Sequence, residues 1–177
     1  MSAALKTLYA YHAWANNDLF DKLATLDAKE RQTELHNALQ LMNHAYVVAQ
    51  IFKAHLSGVA HGYVSDNTPE TPTLAQLHTA MAASDRWYGD YLAAAPDLSQ
   101  TIAFGFTDGD KGAMSPEEML LHVALHSGYH RGEVGRMLWG ISVTPPWDTM
   151  AVFLHQAEPA RRLRGVGAGS AQKAQAG

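Results

Sequence analysis

The stretch His126-Ser127-Gly128-Tyr129-His130-Arg131-Gly132-Glu133-Val134 lies within a longer, largely apolar segment that begins at Ser115 and ends at Gly140. If this segment is helical, His126 and His130 share one face, about 40° apart and about 6 Å along the axis. Two imidazoles at this spacing can reach one metal ion, as in other His-x-x-x-His helices. Because two ligands hold an ion poorly, the pattern predicts a third ligand elsewhere in the chain.

The same face of this helix is predicted to point into the protein core. Met119 and Met137 fall about 20° from His126, so the two candidate ligands lie on an apolar stripe. Burying two neutral imidazoles without partners costs a few kcal/mol, which a shared cation would offset. Glu133 and His122 lie close to the stripe. Either could hold a ligand in place, and Glu133 is also a candidate general base beside a metal-bound water.

The opposite face, which we call the glycine face, combines three glycines with large apolar residues. Each glycine inside a helix costs about 1 kcal/mol relative to alanine, so a close approach by a neighbour would explain them. That neighbour is either the first helix of the same chain or a second subunit, and a homodimer is therefore one expectation. The glycine face consists of Leu121, Leu125, Gly128, Gly132, Gly135 and Trp139.

Apolar periodicity and capping signals predict three more long helices, so the fold class is an all-α bundle. The four helices are predicted over residues 2–26, 35–59, 74–95 and 115–140. Thr73 and Ser115 each begin a capping box. Residues 101–112 predict a small hairpin or an ordered loop, and Asp148 is predicted to cap a short fifth helix. We expect a single domain over residues 1–160 and a flexible tail over 161–177.

Composition limits the classes of function. The chain has 177 residues, of which 47% are apolar, and a formal net charge of -4. Basic residues cluster only in the C-terminal tail, so nucleic acid is not expected as the main partner. The chain has no cysteine, so any metal must take nitrogen or oxygen ligands. No apolar run is long enough for a signal peptide or a membrane span, and we expect a cytoplasmic protein.

His44 is the candidate for the third ligand. It lies on the core-facing stripe of the second helix, with Leu41, Val48 and Ile51. The alternative is that His44 is a core histidine bonded to a backbone carbonyl. The other histidines are interpreted as non-ligands: His55 and His122 as satisfied polar contacts, and the remainder as surface or loop residues, namely His12, His36, His61, His78 and His155.

Three segments together resemble a known family. They are Trp14-Ala15-Asn16, Leu41-Met42-Asn43-His44, and the segment 122–134 with its His-x-x-x-His-Arg-Gly pattern. They resemble the DinB-like (DinB/YfiT) metalloenzymes, and the resemblance covers about Leu5 to Leu154. It implies a four-helix bundle with crossover connections, often dimeric, followed here by the short C-terminal helix.

The resemblance also implies a metal site and a type of chemistry. The three histidines of the family's site map onto His44, His126 and His130, and the ion is expected to be nickel or zinc with water completing its coordination. Characterised relatives include transferases and isomerases that use low-molecular-weight thiols as cosubstrates. Where the family often has glutamine, this chain has Glu133.

The hypothesis is a metal-dependent enzyme of the thiol transferase or hydrolase type, acting on a small-molecule substrate. Three neutral imidazoles leave an ion an open position, which is typical of catalytic sites. The ion could lower the pKa of a bound water or bind a thiol as thiolate. The alternative is a non-catalytic metal-binding or stress-response bundle protein. A haem-binding bundle is a third alternative, since paired histidines can be axial ligands.

Overall fold

The computed structural model describes residues 3–107 and 109–161. Within these residues the chain forms five α-helices, one two-stranded hairpin and a final 3-10 turn. The elements are α1 (Ala3–Ala24), α2 (Gln32–Ser57), α3 (Leu74–Ala93), β1 (Ile102–Gly105), β2 (Lys111–Met114), α4 (Pro116–Gly140), α5 (Met150–Ala157) and the turn Pro159–Arg161. The tail predicted for residues 161–177 lies outside the described residues, except for Arg161.

The ends of the long helices follow local sequence signals. Ser115 caps α4, and its hydroxyl accepts from the backbone N–H of Glu118, while the Glu118 carboxylate accepts in return from the Ser115 backbone. Thr73 and Gln76 form the same capping box at α3. Gly58 ends α2 in the left-handed region, at φ 67°, which costs glycine little. The predicted capping boxes are therefore confirmed, and of the hairpin and the ordered loop predicted for residues 101–112 the structure has the hairpin.

The four long helices form a bundle with crossover connections. α1 packs mainly on α3 and also on α4, while α2 packs mainly on α4 and also on α3. The order around the bundle is therefore α1, α3, α2, α4, and the connections from α1 to α2 and from α3 to α4 cross it diagonally. The hairpin belongs to the second of these connections and contacts α2 and α4. This arrangement places α2 beside α4, and the predicted all-α bundle is confirmed.

The core is divided along the bundle axis into two apolar halves. One half contains Tyr9, Phe52 and Tyr88, and the other contains Phe20, Met42 and Met81. The helical turns between these halves carry buried polar side chains, namely His12, Asn16, Asn43, Ser84, Asp85, Ser127 and Arg131. None of the helices in the described ranges is both long and apolar enough to cross a membrane.

Two local expectations from the sequence are wrong. His12, expected at the surface, is only 2% exposed, because it lies one turn from Leu8 and Ala15 on the buried face of α1 and meets Asp85 of α3. Asp148, expected to cap α5, does not do so. Thr149 is the cap, and Asp148 is turned toward Arg131 of α4 instead.

The glycine face is not covered by another helix of the described chain. A methyl group added at Gly132 would meet nothing within 4 Å, and one added at Gly128 would meet only the Arg131 side chain of the same helix. At Gly135 the nearest atoms belong to Pro145, in the loop that leads to α5. Of the two neighbours predicted for these glycines, α1 therefore does not pack on them.

Candidate metal centre

Three histidine rings meet where α2 packs on α4. His126 and His130 project from successive turns of α4, and His44 faces them from α2. The Nε2 atom of His126 lies 3.1 Å from Nε2 of His44 and 3.1 Å from Nε2 of His130. One ligand atom from each ring lies within 4.8 Å of the others, so the three residues form a group that could hold a metal ion.

The outer nitrogens of two rings are held by hydrogen-bond acceptors. Nδ1 of His44 lies 2.8 Å from the backbone carbonyl of Asp66, and Nδ1 of His130 lies 2.7 Å from Oε2 of Glu133. Because a carbonyl or carboxylate oxygen can only accept, both Nδ1 atoms must carry the proton. In its neutral form, each of these rings presents a bare Nε2 lone pair to the centre, which is how metal-binding histidines are normally oriented.

Proton counting favours a cation at this centre. The Nε2 atoms of His44 and His130 are acceptors, and a proton on Nε2 of His126 can satisfy only one of them. The remaining close contact would then bring two lone pairs together, whereas a cation among the three rings would satisfy all of them. Nitrogen ligands about 2.1 Å from one ion, at octahedral to tetrahedral angles, are about 2.9–3.4 Å apart. The two distances of 3.1 Å from His126 fit this range, and the third pair of ligand atoms, on His44 and His130, lies within 4.8 Å.

The surroundings keep His126 uncharged. Burial, and after it the neighbouring rings of His130, His44 and His122, lower the pKa of His126 to about 4. Its own Nδ1 is buried without a hydrogen-bond partner. Burial likewise lowers the pKa of His122, whose ring stacks on His126 with centroids 5.3 Å apart. An uncharged imidazole is the form that binds a metal, so the pocket keeps His126 in the form that ligation needs.

Glu133 lies on the outer side of the centre. Its carboxylate contacts Nδ1 of His130, across the ring from the nitrogen that faces the other two histidines. The Glu133 side chain is 39% exposed and the His130 side chain 12% exposed. The contact joins successive turns of α4, so helical spacing alone brings the two groups together. The Asp66 carbonyl had no comparable signal in the sequence, because it belongs to the loop after α2.

A cavity of about 440 Å³ opens beside the centre, between α2, α4 and the hairpin. His44 and His126 form one end of its lining, and Phe104 and Phe106 of the hairpin form the other. Asp66 and Thr107 are polar, and the rest of the lining is apolar or aromatic: Val48, Ile51, Phe52, His55, Gly105, Met114 and His122. A molecule in this cavity would therefore lie against the three-histidine centre.

Arg131, next to His130 in sequence, faces away from the centre and ties α4 to two other parts of the fold. Its Nε donates to Oδ2 of Asp148 at 2.7 Å, and its Nη1 donates to Oδ1 of Asn16 at 2.9 Å. Asn16 in turn donates to both carboxylate oxygens of Asp85. The Tyr11 hydroxyl also donates to Asp148. Sequence reasoning missed this network, although an arginine in a buried helix was a signal that charged partners must lie nearby.

The chain was compared with known proteins. The model of the DinB family matches residues 1–163, which is most of the chain. Neither the curated proteins nor the solved structures gave a significant match.

Proposed function

Because the chain belongs to the DinB family, we propose that it is a divalent-metal-dependent enzyme whose ion is held by His44, His126 and His130. The observation that carries the proposal is the convergence of three Nε2 atoms, with the Nδ1 protons of two rings fixed on outside acceptors. This donor set is all nitrogen, which suits nickel or zinc. Three protein ligands, instead of the four of a structural zinc site, favour a catalytic role.

The ion, when bound, would supply positive charge and an open coordination position, which can polarise a carbonyl or lower the pKa of a water or a thiol. The chain's own residues supply the rest. The three rings face one another, Glu133 and the Asp66 carbonyl hold two of them in the required tautomer, and the cavity offers a largely apolar space beside the centre. The proposed reaction class is attack of a thiol or water nucleophile on a small electrophile.

A transferase that uses a low-molecular-weight thiol and a hydrolase are the two forms of this proposal. The chain has no cysteine, so a sulfur nucleophile would have to arrive as a cosubstrate. A hydrolase would need only water. The sequence and the fold leave both forms open, and a screen with small thiols and activated esters distinguishes them.

We propose that Glu133 acts through His130 and not as a general base. Its carboxylate contacts the Nδ1 proton of His130, so it can stabilise the ring as a ligand and fix its orientation. A base would need to reach a group bound on the Nε2 side of the ring. Glu133 is therefore a positioning residue in this proposal.

Metal analysis tests the centre directly. Purified protein loaded with zinc or nickel should bind about one ion per chain. His126→Ala should bind none, because Nε2 of His126 takes part in both of the 3.1 Å contacts. His36→Ala is the matched control, since His36 is an exposed histidine of α2. Full metal content in His126→Ala would reject the assignment.

The non-catalytic alternative makes a different prediction. If the ion only holds the bundle together, a chelator should lower the melting temperature while no thiol or ester substrate is consumed by the loaded protein. An enzyme should turn over at least one class of substrate and lose that activity in His126→Ala. A haem-binding bundle would be coloured, so a colourless protein after haem addition and desalting dismisses that alternative.

We also propose that the glycine face is the contact between two copies of the chain. Leu125 is 67% exposed and Trp139 is 58% exposed on this face, although both are large and apolar. Nothing lies within 4 Å of a methyl group built at Gly132, so a second helix could approach closely there. An isologous pair of α4 helices would bury both features at once.

A further inference from the structure

The cavity beside the three histidines has a continuous aromatic wall. Ring centroids are 4.9 Å apart between Phe106 and Phe104, and 5.9 Å apart between Phe104 and Phe52. The wall continues from Phe52 to His122 at 4.7 Å and from His122 to His126 at 5.3 Å. It therefore leads from the hairpin to one of the three histidines of the centre. Such rings favour other aromatic groups over alkyl chains of the same size.

The hairpin is built to place two of these rings on the cavity. Phe104 pairs with Gly112 across the strands. A methyl group at Gly112 would lie 2.7 Å from the Phe106 ring, which is closer than real contacts, and 3.2 Å from the Phe104 ring, which is tighter than most of them. Both phenylalanine rings can therefore lie across β2 because residue 112 is a glycine. Phe106 is 49% exposed although it is large and apolar, so one face of the wall is open to a ligand.

The charges around the cavity limit what can enter it. Among the described residues that line it, Asp66 carries the only formal charge, and neither lysine nor arginine is present. A phosphate or carboxylate on the body of the ligand would therefore find no counter-ion there. The ligand's ion-binding end can reach the metal, and the rest of the ligand should carry no negative charge.

A polar side chain, His55, lines the hairpin side of the cavity. His55 follows His44 on α2 by three helical turns, about 16 Å along the axis. Its Nε2 atom is buried without a hydrogen-bond partner, and its ring packs against Phe104 at 4.8 Å. Burial and the neighbouring His61 ring lower the pKa of His55, so it is uncharged near neutral pH. The expectation that His55 makes a satisfied polar contact is therefore wrong for this nitrogen. A neutral hydroxyl or carbonyl group on a ligand would provide the missing hydrogen bond.

The geometry points to an aromatic substrate for this centre: a small molecule with a flat, uncharged body along the Phe106–His126 wall and a donor group that reaches the ion. This inference rests on the proposed metal centre and adds the substrate class. A cavity of about 440 Å³ lies within the range of small-molecule sites and has room for roughly a dozen or more non-hydrogen atoms. A two-ring body fits this size.

Calorimetry with four probes tests the inference. Acetohydroxamate carries only a metal-binding head, 2-naphthohydroxamate adds a flat aromatic body, octanohydroxamate adds an alkyl chain, and 2-naphthylmethanol carries the aromatic body without a chelating head. On zinc-loaded protein, 2-naphthohydroxamate should bind at least tenfold more tightly than the other hydroxamates. 2-Naphthylmethanol should bind loaded and metal-free protein alike.

Phe106→Ala should weaken the binding of both naphthyl probes at least fivefold and leave acetohydroxamate within twofold, because it removes only the exposed end of the wall. Trp147→Ala is the control, since Trp147 is 74% exposed and outside this cavity. It should change no probe by more than twofold, and thermal melting of both variants checks that they are folded.

The outcomes separate the two proposals. If acetohydroxamate fails to bind because the protein takes up no metal, the proposed function fails, and 2-naphthylmethanol still decides the aromatic inference. If the metal binds but octanohydroxamate matches 2-naphthohydroxamate, or Phe106→Ala leaves the naphthyl probes unchanged, the aromatic inference is overturned and the metal centre stands.

Discussion

Replacing Glu133 with glutamine tests how the centre holds its metal. The carboxylate lies 2.7 Å from Nδ1 of His130, on the outer side of the ring. Glutamine keeps an oxygen that can accept the same proton but removes the negative charge. Glu133→Gln should therefore preserve the fold and weaken metal binding, because the charge no longer favours a cation beyond the ring.

The size of the effect follows from distance. The distance from Oε2 of Glu133, across the imidazole, to an ion bound at Nε2 is about 7 Å. It consists of the observed 2.7 Å contact, about 2.2 Å for the ring and about 2.1 Å for the metal–nitrogen bond. At an effective dielectric constant of about 40–80, a charge of -1 attracts a divalent ion by about 1.2–2.4 kcal/mol. That is roughly a 7- to 60-fold loss of affinity, the scale expected for a carboxylate partner of a histidine ligand.

The assay is competition for zinc with a chromophoric chelator at fixed pH and ionic strength. Glu117→Gln is the matched control: it lies on the same helix, is exposed, and should leave the affinity within twofold. A change of less than threefold in Glu133→Gln would refute the positioning role. Complete loss of stoichiometric metal would show that Glu133 is itself a ligand.

Three further results are expected. Arg131→Met should lower the free energy of unfolding by about 3 kcal/mol in urea titrations, because it leaves buried polar partners unpaired, whereas the exposed Arg136→Met should change it by less than about 0.5 kcal/mol. In chelator-treated protein, the unfolded chain binds a proton at His126 near pH 6.5 and the folded chain only near pH 4, so stability should fall as pH drops between these values. After allowance for solvent screening, His126→Gln should lose about 1–2 kcal/mol less free energy of unfolding over this pH window than the unmodified protein. An equal loss in both proteins would refute His126 as the cause. Leu125→Glu should weaken self-association at least tenfold in sedimentation experiments without changing monomer stability, and an unchanged dimer would place the contact elsewhere.

Features that depend on neighbouring residues were predictable. The spacing of His126 and His130 is set by the helical repeat, so four residues of separation were enough to place both rings on one side of α4. The capping box at Ser115 set the start of that helix, because its partners are only three residues apart. His44 was a candidate from its own stripe, and it was assigned only through the resemblance to the family.

Features that depend on distant parts of the chain were not predictable. His12 was placed at the surface because a single histidine on α1 gives no sign of Asp85, which lies more than seventy residues further on. Asp148 has the local appearance of a helix cap, and its pairing with Arg131 arises only when the loop after α4 folds back. An ion pair formed on burial outweighs a cap that the adjacent Thr149 can supply instead.

The sequence by itself determined the long helices, most of the faces they bury and the placement of His126 and His130 on one side of α4. Only the tertiary structure decided that α2 lies beside α4, which brings ligand nitrogens of the three histidines within 4.8 Å of one another and opens a cavity walled by the hairpin. The physical reason is range: helical pitch and caps act over three or four residues, whereas packing joins residues separated by more than a hundred positions.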